Sequence, residues 1–236
     1  MGMLRILAIG AHPDDLEILC GGTLARFAQL GYTVFMAHMM NGDKGHVSMD
    51  PAELARVRRQ EAEAAASIIG AQSIGLGYPD GTLFSDLAAR ERVIDLIREV
   101  RADVVLTHAP QDYMSDHTTT SEIVRDGSFY VTAPLFRTQH PAIAEAPPLY
   151  FMDTLAGVRF TPSEYVDIST TFDRKCEMLR CHRSQLQWLQ ENAGADILEQ
   201  VRITGQFRGL QCGAEYAEAF ARYEAWGRQP PARVLP

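Results

Sequence analysis

Cysteine is scarce in this chain. The four present, Cys20, Cys176, Cys181 and Cys212, form no C-x-x-C pair, which argues against both a disulfide-stapled scaffold and a thiolate metal site. Any metal must therefore be held by histidines and carboxylates. Positive charge is also in short supply: 22 Lys and Arg stand against 30 Asp and Glu, for a formal net charge of −8 and a pI near 5.4. Such a surface repels phosphate backbones and anionic headgroups, so nucleic acid is not an expected partner. Long apolar runs are missing too. No window approaches the roughly 20 residues a bilayer span needs, and Met1 to Leu7 leads straight into a polar motif with no cleavage-like segment. The expectation is a cytoplasmic protein with no membrane span.

The chain does hold an ordinary globular composition, 46% hydrophobic and 22% charged over 236 residues. That is enough for one large domain, 1–236, with an extended Pro-rich tail over about 227–236. Apolar runs at Arg5–Gly10, Thr33–Met39 and Asp103–His108 read as strands, and Gly-rich Ser73–Gly81 is expected to hold a short one before the loop Tyr78-Pro79-Asp80-Gly81. Between them fall helical patterns at Gly22–Leu30, Pro51–Ile69 (Pro in the first turn, Gly70 as stop), Asp86–Val100 and Thr118–Tyr130. Four alternations of strand and helix predict an α/β fold, a single-domain Rossmann-like sandwich with a mainly parallel sheet flanked by helices. Further on, Leu149–Met152 reads as a late strand, Phe172–Gln190 as one long helix and Ala214–Trp226 as another. The Pro-containing stretch 131–148 is long for a plain connection, so it is expected to cover the site or to form an oligomer contact.

In a parallel sheet, ligands collect beyond the carboxyl ends of the strands, and the unusual residues of this sequence cluster there. His12-Pro13-Asp14-Asp15 follows the first strand and places an imidazole and two carboxylates at the mouth of the sheet, where they can share a cation. The alternative is helix capping by Asp14 with Glu17, which leaves His12 and Asp15 without a purpose. A second cluster, Asp112-Tyr113-Met114-Ser115-Asp116-His117, follows the fourth strand. Neighbouring strands would bring the two loops together, with His117 as a third ligand and Asp116 either orienting it or capping a helix.

These stretches resemble the PIG-L/LmbE-like de-N-acetylase family. The similarity rests on Ala11-His12-Pro13-Asp14-Asp15, Asn41-Gly42-Asp43-Lys44-Gly45, Arg58 with Glu61, and Gly77-Tyr78-Pro79-Asp80-Gly81. It continues through Asp116-His117, His182-Arg183-Ser184-Gln185 and Glu215-Tyr216-Ala217-Glu218-Ala219-Phe220, and so spans nearly the whole chain. The resemblance implies zinc on His12, Asp15 and His117, with an open fourth position for water and Asp14 as general base. It implies hydrolysis of an N-acyl group, commonly acetyl, from an amino-sugar conjugate. Ferrous iron also suits two histidines and a carboxylate, and a homo-oligomer is compatible with the sequence.

One position departs from the family: Met114 stands where many members carry a histidine that stabilises the oxyanion or protonates the leaving amine. His182 is the favoured catalytic replacement, with His140 and Tyr113 as the other candidates. Arg58 and Asp80 are expected near the metal in substrate-binding or supporting roles. The departure keeps two alternatives in view, namely hydrolysis of a different amide and a non-catalytic sugar-binding protein.

Overall fold

The computed structural model describes residues 3–226 and 233–236. Its elements run β1 (Arg5–Gly10), α1 (Asp15–Gln29), β2 (Thr33–Met40), α2 (Pro51–Ile68), β3 (Gln72–Tyr78), α3 (Leu87–Val100), β4 (Val104–Thr107) and α4 (Ser115–Tyr130). They continue β5 (Leu149–Met152), β6 (Glu164–Asp167), α5 (Phe172–Leu179), α6 (Arg183–Ala193), α7 (Ile197–Cys212) and β7 (Ala217–Arg222). The strands form one seven-stranded sheet in the order β3-β2-β1-β4-β5-β7-β6. The first five are parallel, and β7 runs antiparallel to both β5 and β6. This is the expected α/β architecture.

Side chains of successive strand residues point to opposite faces, and the two faces hold separate cores. Ile6 and Ala8 pack with Leu16, Phe27, Met36, Phe172 and Met178 beneath α1 and α5. Leu7 and Ile9 pack with Phe35, Val93, Ile97, Val105 and Ile123 beneath α3 and α4. Both faces of β1 are thus covered, which explains why it reads as a continuous apolar run rather than an alternation. The chain builds outward from β1 through β2 to β3 and then crosses back to lay β4 on the other side of β1, so β1 is flanked by β2 and β4. The crevice at the carboxyl ends of β1 and β4 is the topological switch point of the sheet.

Four sequence-based expectations need correction. Helix α1 begins at Asp15, a full two turns before Gly22, so the aspartate pair stands at its amino end. The long helix over Phe172–Gln190 is broken at Cys181–His182 into α5 and α6, and the break turns His182 into the core at the α6 N-cap. Residues 214–226 contain strand β7, not a helix. Their Ala and Glu content favours helix, but the position between β5 and β6 buries Ala217, Glu218, Ala219 and Phe220, and tertiary context overrides the local preference. Finally, stretch 131–148 is no cover for the site. It joins α4 to the start of β5 and so runs past the amino ends of the strands. There the buried Arg98 guanidinium donates to the carbonyls of Tyr130, Val131, Ala133 and Phe136. His140 is held in the same place, its N–H and Nδ1 on Asp95 at 2.8 and 3.1 Å. The supposed substrate-side His140 is therefore at the wrong end of the sheet.

Helix α7 and strand β6 are additions the sequence reading missed. Apolar periodicity in α7 is confused by the exposed Ile203, Phe207 and Leu210. Two end signals were nevertheless available: Asp196 caps the Glu199 amide, and Gly213 closes the helix at φ 81°. The extended tail expected over 227–236 falls partly on 227–232, outside the described residues.

Candidate metal centre and active site

Strand register creates the site. Ile9 pairs with Thr107, so Ala11-His12 leaving β1 and His108 leaving β4 emerge side by side. His12, Asp15 and His117, all buried, each offer a ligand atom, and these atoms lie within 4.8 Å of one another. His12 Nε2 is 3.2 Å from Asp116 Oδ2, and that oxygen also accepts the Gly81 N–H at 3.0 Å. His117 is arranged in mirror fashion, with Nδ1 3.2 Å from Asp112 Oδ2 and Nε2 3.3 Å from Asp15 Oδ1. Each imidazole thus turns one nitrogen to a carboxylate outside the trio and the other inward, the arrangement that fixes tautomer and ring angle in histidine metal sites. Asp112, not Asp116, orients His117; Asp116 orients His12.

The electrostatics of the trio suit a cation. Burial works against charge on both rings, yet Asp116 and Asp15 raise the His12 pKa to about 9, and Asp15 and Asp112 raise that of His117 to about 10. Burial is likewise outweighed at Asp15, whose carboxyl is held well below its ordinary value by His117 and His108. The trio is anion-rich and buried, and two neutral imidazoles with one carboxylate are the donor set of hydrolytic zinc sites. The residues fit the ion.

Asp14 differs from its neighbour. It occupies the N-cap position of α1 but makes no side-chain capping bond, so capping does not account for the pair. Its φ of 122° is far from where a residue with a Cβ is comfortable, a strain of order 1–3 kcal/mol that the surroundings must hold in place. Arg58 does this. Its buried guanidinium donates to Pro13 O and, at 3.3 Å, to Gly42 O, and lies 3.2 Å from Asp14 Oδ1. Gly42, at φ 75°, is required there because a Cβ would strike this side chain at 2.5 Å. Burial pushes the Asp14 pKa up to about 6, against the pull of Arg58. A carboxylate poised near neutrality beside a metal trio is suited to accept a proton.

The remaining expected residues sort cleanly. Asp80 Oδ1 accepts the Gly42 N–H at 2.8 Å, Oδ2 accepts that of Lys44 at 3.2 Å, and the carboxylate stands 4.0 Å from His12 Nε2; it ties two mouth loops together. Glu61 accepts from the Ser184 N–H and hydroxyl, at 2.9 and 2.6 Å, and Gln185 donates to Gly45 O at 2.9 Å. The Arg58/Glu61 and 182–185 motifs therefore brace the loop beneath the site. His182 is fully buried with Nε2 3.2 Å from Glu17 Oε1, which leaves no room for contact with a substrate. The position does not match the catalytic role expected of His182, whose ring faces Glu17 in the interior and not the mouth. Tyr113 is largely exposed at the mouth, its ring edge-on to His117 with centroids 6.1 Å apart. Sequence reasoning missed His108, fully buried and stacked on His117 at 4.1 Å. Its place after β4, matching His12 after β1, was the available signal.

The sequence profile of the PIG-L family, GlcNAc-PI de-N-acetylase, matches residues 7–127. The chain belongs to this family. Among PIG-L relatives, a 4-oxalmesaconate hydratase of Pseudomonas putida is 26% identical over 189 residues, covering 76% of this chain and 73% of that protein. A diacetylchitobiose deacetylase of Thermococcus kodakarensis is 26% identical over 224 residues, 91% of this chain and 81% of that one. The crystal structure of a 4-carboxy-2-hydroxymuconate hydratase from Pseudomonas putida superposes with a TM-score of 0.83, over 98% of this chain and 100% of the other. At 23% identity it shows the shared fold. PIG-L relatives thus include both deacetylases and a hydratase, and no helix among the described residues here is long and apolar enough to cross a membrane.

Proposed function

We propose that this protein is a metal-dependent, zinc-type hydrolase that removes an N-acyl group, acetyl by preference, from a small amino-sugar conjugate. The reading rests on one observation: a buried His12–Asp15–His117 trio beside an aspartate, Asp14, that is not needed as a ligand and carries a pKa of about 6. When bound, the ion would lower the pKa of a water and polarise the amide carbonyl. Asp14 Oδ would accept a proton from the attacking water and pass it to the leaving amine, while Arg58, 3.2 Å from Asp14 Oδ1, keeps the carboxylate at its angle. Glycan-deacetylase relatives such as the chitobiose enzyme support the amino-sugar substrate.

Met114 stands at the α4 N-cap, partly exposed at the mouth, and its thioether cannot donate a proton. Of the three side chains considered in its stead, His140 lies elsewhere and His182 is sealed. Tyr113 remains, and its hydroxyl is the donor assigned to the developing oxyanion. The test is amine release from a panel of N-acetylated amino-sugar conjugates by zinc-loaded protein, with Asp14→Asn as control. Release that vanishes in the variant supports the reading; intact conjugates throughout, with zinc bound, overturn it. Met114 together with the hydratase relative favours a second reading, in which the same centre adds water to an unsaturated oxo-acid. Loss of the conjugated ultraviolet band of such an acid, without amine release, would select it.

A further inference from the structure

A cavity of about 290 Å³ lies between α1, α5, α7 and the turn that follows β5. Its wall is mostly apolar, with Ile18 and Leu19 of α1, Leu155 of the turn, and Ile197, Val201 and Ile203 of α7. None of its lining residues belongs to the metal trio or to the loops that brace it. We infer that this cavity is a second ligand site, which takes an uncharged amphiphile of roughly ten to twelve non-hydrogen atoms with one hydrogen-bond acceptor. The six carbons of benzene fill an apolar cavity of about 150 Å³, and the size of the occupant scales from there. Protein interiors seldom leave gaps larger than a water molecule. Water in an apolar space lacks the roughly two to four polar partners it needs, so an apolar body gains by replacing it.

The charges in the wall decide the class of occupant. Lys175 Nζ pairs with Glu218 Oε1, and Arg208 donates from Nε and Nη2 to Asp153 at 2.6 and 3.0 Å. All four side chains are buried, and the two pairs cancel. An anionic occupant would meet the carboxylates of Glu218 and Asp153, a cationic one Lys175 and Arg208, and either would surrender its hydration with no unspent counter-charge to receive it. A neutral head escapes that cost, and its acceptor has a partner. The Lys175 ammonium carries three N–H donors; it gives one to Ile18 O at 2.7 Å and one to Glu218, and among the described residues the third is left for an occupant. The turn over the cavity is also held under strain. Ala156 stands at φ 56° and Gly157 at φ 69°, where a Cβ would meet Arg208 Nη2 at 2.6 Å. The Thr154 hydroxyl closes the turn on Val158 O at 2.6 Å. Left-handed backbone at a residue with a Cβ is the kind of strain that ligand sites retain.

The test is a methyl-resolved 1H–13C titration of the wild-type protein with octanamide, an uncharged probe of matching size, and with octanoate and octylammonium as charged probes of the same length at neutral pH. Octanamide should shift the methyl signals of Ile18, Leu19, Leu155 and Val201, saturating with a Kd below about 1 mM, and leave those of Ile94 and Val124 beneath α3 and α4 in place. It should bind at least about tenfold more tightly than either charged probe. No saturable shift of the cavity methyls, shifts confined to other surfaces, or a charged probe that binds as well as octanamide would overturn the inference. Thr204→Phe, a substitution at the half-buried rim, should weaken octanamide binding at least about tenfold by occupying the space, and an unchanged affinity likewise overturns it. Should that variant not fold, the wild-type shifts decide alone. The titration reads binding and not turnover, so its outcome stands apart from that of the hydrolase reading.

Discussion

Replacing Arg58 by methionine should destabilise the metal-free protein by an amount that depends on pH. The guanidinium is buried and serves Asp14 Oδ1, Pro13 O and Gly42 O; methionine fills part of its volume and offers no charge. Asp14 already titrates at about 6 in the folded protein, above its ordinary 3.8. The folded state therefore binds more protons than the unfolded state between those values. Stability accordingly falls as pH rises through that window, and above it the full cost, about 3 kcal/mol at 1.36 kcal/mol per pH unit, is present. Without Arg58 the folded pKa climbs further, and the window extends above pH 6. At pH 8 the variant keeps a buried carboxylate without its guanidinium partner, worth about 3–5 kcal/mol. At pH 5 Asp14 is protonated, and only the two carbonyls remain short of a donor, worth about 1–3 kcal/mol. Urea unfolding of wild type and Arg58→Met at both pH values measures the difference. Equal losses at pH 5 and pH 8, or a loss at pH 8 under about 1 kcal/mol, would refute the claim that Arg58 exists to hold the Asp14 charge.

Other expectations follow from the same geometry. Tyr113→Phe should lower kcat about 10²- to 10³-fold, the usual value of an oxyanion donor, with zinc content unchanged; an unaffected kcat assigns the donor elsewhere. Asp112→Asn and Asp116→Asn should each weaken zinc binding about 10- to 100-fold, by chelator competition, because each carboxylate orients one histidine; a variant that binds zinc as the wild type does removes its carboxylate from that role. Zinc binding should release protons at pH 7, since His12 and His117 carry raised pKa values of about 9 and 10 without it. Calorimetry in buffers of different ionisation enthalpy counts them, and a buffer-independent enthalpy would contradict the pairing. Glu218 accepts the Gly22 and Thr23 amides at 2.9 and 2.7 Å and pairs with buried Lys175. Glu218→Ala should therefore cost about 3–5 kcal/mol in unfolding free energy, while a loss below about 1 kcal/mol would show that Lys175 finds another partner.

Much of this was legible in the sequence. The first half alternates apolar runs with capped helical patterns, and each of those elements is present because its local preference agrees with its place in the sheet. The trio was legible through the family resemblance of Ala11–Asp15 and Asp116-His117, and the strand register, which spacing alone does not give, places the residues after β1 beside those after β4. What the sequence hid depends on three-dimensional context. β7 has helix-favouring residues and is a strand only because β5 and β6 flank it. The division of labour between Asp112 and Asp116 turns on side-chain directions in the first turn of α4, which spacing does not encode. His140, among prolines, looked like a residue of a site cover until the connection from α4 to β5 placed it at the amino ends of the strands.

The most direct measurement is zinc content together with amine release from N-acetylated amino-sugar conjugates, for wild type, Asp14→Asn and His117→Ala. The account predicts about one zinc and turnover in the wild-type protein, zinc without turnover in Asp14→Asn, and loss of both in His117→Ala. A His117→Ala protein that retains zinc and turnover would contradict it.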